Sequence, residues 1–231
     1  LSMAVTISDN AAADALFDLV SPTEVTQTLT GWGVEGLVLR EKFSELTQTP
    51  VETLPRQDTD LAHTIAIGSG TGGGGHRLAQ LDLTRTNTGT AKALVDLLEA
   101  MWGSRSSHPP EVPPRAGLHS HDDALRPESE GTTGIDPWVF AEVRALMAAN
   151  VHRHRLALDL ASDESRWYSK TGTLMNHRHE IGVLERSDGT CVAIAALTES
   201  AVAASLQPAA EAVIADVARR LHEHLRLMQD S

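Results

Sequence analysis

A mixed helix-and-sheet fold, of the α+β or mixed α/β class, is what three patterns in this sequence predict. Helical periodicity dominates the first hundred residues, three extended runs follow one another between Arg166 and Glu199, and a long amphipathic helix runs from Pro208 to Gln229. These patterns divide the chain at two places. Residues 1–102 are mainly helical with an irregular insertion. Residues 103–137 read as a flexible loop or lid, and residues 138–231 carry a helix, a three-stranded meander and the final helix.

Each element has its own local reason. Asn10 to Val20 places Ala11, Ala12, Leu16, Phe17, Leu19 and Val20 at helical spacing. Ser21-Pro22-Thr23-Glu24 is a capping box with proline at the first helical position, so a second helix runs to about Gly31. Residues 34–86 are irregular, with extended candidates at Val34–Leu39 and Thr64–Ile67. Thr88 to Trp102 is an amphipathic helix through Ala91, Leu94, Val95, Leu98 and Met101. Prolines, serines and glycines then break regular structure until Trp138 opens a helix that reaches Asn150. Arg166–Thr173, His179–Arg186 and Thr190–Glu199 follow as strands, with Asp188-Gly189 as a two-residue hairpin signal. The terminal helix aligns Val213, Ile214, Val217, Leu221, Leu225 and Met228 along one side.

Charge and composition narrow the partners. Nineteen basic residues against 31 acidic ones give a net charge of −12, which repels phosphate backbones and anionic lipid. Neither nucleic acid nor a membrane surface is therefore expected as a partner. No apolar run approaches the roughly 18–20 residues of a membrane-spanning helix. A single cysteine, Cys191, forbids an internal disulfide and, in its apolar run to Leu197, reads as a buried core thiol.

Two tempting motifs fail on context. Gly68-Ser-Gly-Thr-Gly-Gly73 satisfies G-x-G-x-x-G, but flexible residues follow where a dinucleotide site needs a helix, so a mobile loop is expected. His119-Ser-His-Asp-Asp123 lacks a second spaced pair, and His222 and His224 at i, i+2 point to different helix faces. No metal and no cofactor is expected.

Two short motifs stand in informative order. Ser8-Asp9-Asn10 opens a helix, and Lys170-Thr171-Gly172 lies on the first meander strand. With S-x-x-K, this pair marks class A β-lactamases and penicillin-binding proteins. The flanks extend the likeness, from Met3 to Leu16 and from Tyr168 to Leu174. The chain therefore resembles that serine-hydrolase superfamily. The resemblance implies a β-lactamase/transpeptidase-like fold, an antiparallel sheet with helices on both faces, and a small-molecule substrate: a β-lactam, peptide or ester. It implies that Ser8 relays a proton toward the leaving nitrogen and that Asn10 binds the substrate's amide side chain. Lys170 keeps positive charge beside the substrate carboxylate, while Thr171 and Thr173 offer it hydroxyls. Gly172 lets substrate lie close, the Thr173 N–H is an oxyanion donor, and Arg178 or His179 supplies a second cationic contact. It also leans toward a secreted or extracytoplasmic location.

The chain departs from that pattern in two ways. Its three lysines, Lys42, Lys92 and Lys170, are preceded three residues earlier by Leu39, Gly89 and Trp167, so no S-x-x-K occurs. The family's opening helix and two strands have no counterpart either. The expectation is a partial domain whose nucleophile comes from a missing N-terminal segment, possibly a separate chain. The second departure concerns deacylation. The family's Glu-x-x-Leu-Asn loop motif is not matched by Arg40-Glu-Lys-Phe-Ser-Glu-Leu-Thr47, where Glu41 and Glu45 are the candidates. A D,D-peptidase, an esterase or an inactive binding module on the same scaffold are the alternatives to β-lactam hydrolysis.

Overall fold

The computed structural model describes residues 1–46, 64–68, 75–76, 78–103, 135–201 and 208–229. The expected lid, the His119 cluster and most of the Gly68–Gly73 run lie outside these residues. The described chain begins with three helices: α1 (Ser2–Thr6), α2 (Asn10–Phe17) and α3 (Pro22–Gly31). Asp9 caps α2 by accepting from the Ala12 N–H at 2.7 Å. Both halves of the capping box form at α3, with Glu24 N–H bonding to Ser21 Oγ and Ser21 N–H bonding to Glu24.

Of the extended candidate at Val34–Leu39, only β1 (Leu37–Val38) forms a strand; it pairs antiparallel with β2 (Thr88–Gly89). Thr88 thus belongs to a strand rather than to the helix expected there. The helix, α5 (Ala91–Gly103), begins three residues later, with the Ala93 N–H bonded to Thr90 Oγ1 at 3.1 Å. Short α4 (Phe43–Leu46) precedes it. Thr64–Ile67, read as extended, is helical, within a helix that spans residues 64–68. A short apolar run is compatible with either state, and here Ala66 packs fully buried with Leu78 and Leu81.

The C-terminal half follows its periodicity closely. Helix α6 (Pro137–Ala148) and the short α7 (Ala157–Leu160) lead into β3 (Ser165–Leu174), β4 (His177–Arg186) and β5 (Cys191–Glu199), and α8 (Pro208–Gln229) follows. The three strands form one antiparallel sheet in the order β3-β4-β5. Gly172 pairs with His179 and Lys170 with Ile181. At the β4–β5 turn, Gly189 sits at φ +84 and donates to Arg186 O, while the Arg186 N–H bonds to Thr190 O. The loop is therefore three residues with a left-handed glycine, not the two-residue hairpin expected from Asp188-Gly189.

Alternation along the strands gives the sheet two faces. Tyr168 and Val183 pack with Leu98, Met101, Trp102, Phe140 and Met147 from α5 and α6. Trp167 and Leu184 pack with Leu156, Ala157, Leu160, Ile214 and Ala218 from the α7–α8 side. Gly182 is obligatory between them, because a Cβ there would lie 2.5 Å from both the Trp167 ring and the Tyr168 carbonyl oxygen. Two expectations fail on this side. Helix α8 buries Ile214, Ala215 and Ala218, whereas Val213, Val217, Leu221, Leu225 and Met228 are exposed. Cys191 is exposed too, because it opens β5 at the end of the sheet.

Candidate functional site

The site is assembled by the loop that joins α6 to α7. Val151 N–H bonds to Thr6 O at 3.0 Å, which holds the segment leading to Ser8. From the same loop, Asn150 Nδ2 donates to Ser169 O at 3.0 Å and Arg153 Nη2 to Trp167 O at 3.1 Å. Those carbonyls turn away from β4, so the loop caps the outer edge of β3 as far as Ser169. Thr171 O is taken by Lys170 Nζ at 2.7 Å. Alternation turns the main-chain groups of Thr173 to this same edge, beyond the capped stretch.

Ser8 and Lys170 meet there. Lys170 Nζ donates to Ser8 Oγ at 2.7 Å across 162 positions of sequence. Ser8 adopts φ +58, a left-handed conformation uncommon for a residue with a Cβ, at the turn between α1 and α2. Burial, and then the nearby Arg155 guanidinium, push the Lys170 ammonium below the ordinary lysine value. Asn10 is exposed at the first position of α2, two residues from Ser8.

The remaining candidates divide by exposure. Thr173 and Gly172 are exposed, while Thr171 is buried. A Cβ built on Gly172 would make only an ordinary 3.8 Å contact with His179 Cβ. Among the described residues nothing demands glycine there. Arg178 is 4% exposed and pairs with Glu211 through Nε at 3.3 Å. His179 lies across the ladder from Gly172, accepts from the Thr198 N–H at Nδ1 and is held below the usual imidazole value chiefly by burial.

The cation in contact with Thr173 is one that sequence reasoning missed. Arg155 Nη2 donates to Thr173 Oγ1 at 2.6 Å, and Nη1 donates to Gly172 O at 2.8 Å and His179 O at 2.7 Å. Its sequence context, His152-Arg-His-Arg155, looks like an exposed charged loop and gives no spacing cue.

At the deacylation loop, Asp14 on α2 accepts from Phe43 N–H at 2.7 Å and Ser44 N–H at 2.8 Å. The loop therefore presents Phe43 and Ser44 to the helix that carries Asn10. Glu45 bends back to cap its own turn at Lys42 N–H, and Glu41 packs inward beside Asn87 through its backbone. Among the described residues no three histidine, cysteine or acidic side chains gather as a metal site. Nor is any helix among them long and apolar enough to cross a membrane.

Comparison with known proteins identifies the family and the fold. The model of the beta-lactamase enzyme family matches residues 1–111 and 132–225. The beta-lactamase regulatory protein BlaB of Streptomyces cacaoi is 49% identical over 226 residues, which is 98% of this chain and 67% of that protein. A variant of the last common ancestor of Gram-negative class A beta-lactamases shares the fold with a TM-score of 0.63 and 21% identity, over 98% of this chain. A beta-lactamase from Chitinophaga pinensis gives 0.63 at 17% identity over 97% of this chain. The chain spans 63% of the length of each of these two solved structures.

Proposed function

Because the chain belongs to the beta-lactamase enzyme family, we propose that it carries the carboxylate-recognising part of a serine hydrolase site. The substrate is an amide or ester beside a carboxylate, a β-lactam foremost, and the reaction runs through an acyl-enzyme. The observation that carries this reading is the 2.7 Å contact between Lys170 Nζ and Ser8 Oγ. It joins a hydroxyl and a cation at the open end of β3, which supports a proton relay beside a carboxylate site. In this reading Ser8 passes a proton to the leaving nitrogen and Asn10 holds the substrate's amide side chain. Thr171 and Thr173 flank its carboxylate, and the Thr173 N–H serves as one oxyanion donor. The attacking serine of an S-x-x-K motif is supplied from outside these 231 residues, in the same protein or as a separate chain.

One observation favours a second outcome for the acyl-enzyme. The loop facing α2 offers Phe43 and Ser44 rather than a carboxylate, so among the described residues no carboxylate stands at that point to activate a hydrolytic water. The relative BlaB is named as a regulatory protein. A ligand that acylates and stays would serve as a signal rather than as a substrate to be turned over. The test is labelling of the longer protein, including its S-x-x-K segment, with a fluorescent penicillin. An adduct that outlasts the assay supports the sensor, and release with turnover supports the hydrolase. Absence of any adduct rejects the acyl-enzyme reading and leaves an esterase of other specificity or a binding module.

A further inference from the structure

At the end of the sheet where β3 begins and β4 ends, Ser165 pairs with Arg186. The two histidines of α8 divide there: His224 is exposed, whereas His222 is half-buried and meets Arg186. Arg186 Nη2 lies 2.7 Å from His222 Nε2. A guanidinium only donates, so Nε2 accepts, and His222 is a neutral ring with its proton on Nδ1. That Nδ1 is buried and finds no hydrogen-bond partner among the described residues. Burial, and then the charges of Arg186 and Arg226, hold the imidazole below its ordinary value.

Arg186 is half-buried, yet its side chain is spent on this neutral ring; among the described residues no carboxylate pairs with it. Arg226 follows His222 by one helical turn, so the two share a face of α8. Arg186, His222 and Arg226 all line a cavity of about 330 Å³ that also reaches Leu160 and Leu184. Glu164 and Asp188 stand at the same cavity, but Asp188 is turned into its own hairpin, where it accepts from the Thr190 N–H at 2.8 Å. Two guanidiniums therefore converge on one recess without a carboxylate bonded to either, in a chain whose net charge is −12. A half-desolvated cation without a counter-charge is costly, and an oxyanion offers the acceptors that both forks lack.

We propose that this cavity between β4 and the last turns of α8 is an anion site, at which Arg186 and Arg226 hold a small divalent oxyanion of the phosphate or sulfate kind and so pin the end of α8 to the sheet. The site is separate from Ser8 and Lys170 and does not depend on the carboxylate reading above. Anion binding is coupled to His222, because a bound anion offsets the charges that keep the ring neutral, and a protonated ring adds a third cation for the anion. The charged groups that face the ring are Arg186 from β4, Glu223 and Arg226 on α8, Glu164 from the loop before β3 and Asp188 from the β4–β5 turn.

The test is calorimetric titration of the 231-residue chain with sodium sulfate, whose charge does not change between pH 5.5 and 7.5, at an ionic strength held constant with chloride. One sulfate should bind per chain, several-fold more tightly at pH 5.5 than at pH 7.5, and should raise the Tm. Arg226→Gln, at an exposed position, should lower the affinity about 10-fold, the scale of one charge-assisted hydrogen bond, and Arg186→Gln at least as much. Glu164→Gln removes a repelling charge and should tighten binding. His222→Gln still offers Arg186 an acceptor, so it should keep the affinity at pH 7.5 and flatten the pH dependence. Failure of sulfate to saturate, or a pH dependence that survives His222→Gln, would overturn the proposal. So would an affinity that neither Arg226→Gln nor Glu164→Gln moves, the mark of an adventitious ion only. Should Arg186→Gln fail to fold, the two exposed variants Arg226→Gln and Glu164→Gln decide alone.

Discussion

On the face covered by α5 and α6, the sheet meets rings and long aliphatic chains: Trp102 stands edge-on to Tyr168 at 5.4 Å, and Trp32 edge-on to Phe140 at 5.8 Å. On the face covered by α7 and α8 it meets smaller apolar groups, and beside them the buried charges Arg155, Arg178 and Glu180. The open end of β3 draws on both. Lys170 projects to the first face, where Ser8 waits, and Thr171 and Thr173 belong to the second, where Arg155 donates to the Thr173 hydroxyl. Apolar packing thus carries the strand, and a buried guanidinium holds its Thr173 hydroxyl. Helix α8 repeats the contrast within itself, with Ile214 and Ala218 buried against Val213, Val217, Leu221 and Leu225 exposed.

That last contrast gives the largest expected effect. Ile214→Ala should cost about 3 kcal/mol of stability, as for other buried isoleucines, while Val217→Ala on the outer stripe should change it by less than about 0.5 kcal/mol. Urea denaturation of the two variants checks the pair, and similar costs would mean that the outer stripe is buried in solution. Next comes Gly182→Ala, whose Cβ meets backbone at 2.5 Å; the overpacking should cost about 2 kcal/mol.

A smaller effect tests the charges. Glu180 is fully buried and accepts from Leu156 N–H at 2.7 Å and Trp167 Nε1 at 3.2 Å. Glu180→Gln substitutes an amide whose extra hydrogens find no acceptor, at a cost of about 1.5 kcal/mol and with a shift in Trp167 emission. Unchanged stability and emission would show that this carboxylate is not holding α7 to the sheet.

Much of this was legible in the sequence, and the omissions have physical causes. The meander could be read because period-two alternation is local to each strand, and the α3 cap because four residues suffice to define it. Residues 64–68 could not, since an apolar run that short fits helix or strand. The outward face of α8 could not, because periodicity marks a stripe without saying what covers it. Ser8 and Lys170 were legible only through resemblance. Arg155 was not legible at all, because its partners Thr173, His179 and Glu211 are distant in sequence and the three residues before it are polar.

A gentler effect concerns pH. Burial lowers both His177 and His179 below the ordinary 6.5. Between 6.5 and those lower folded values the unfolded chain binds protons that the folded chain refuses, so stability falls as pH drops through that window and is unaffected above it. Denaturation at pH 7.5 and at pH 5.5 measures the loss, to be compared with a His177→Gln, His179→Gln double variant. A flatter profile in the variant agrees with this assignment, and an unchanged one contradicts it.

The central claim is that Lys170, beside Ser8 at the open end of β3, recognises a ligand carboxylate. The most direct test is the affinity of the chain for benzylpenicillin against its methyl ester, in wild type and in Lys170→Met. Wild type should favour the acid by about 10-fold, the worth of one strong charged hydrogen bond, and should lose that preference at a pH below the ordinary 10.5 of lysine. Lys170→Met should bind acid and ester alike at every pH. A wild type indifferent to the ester, or a preference that survives Lys170→Met, would contradict the account.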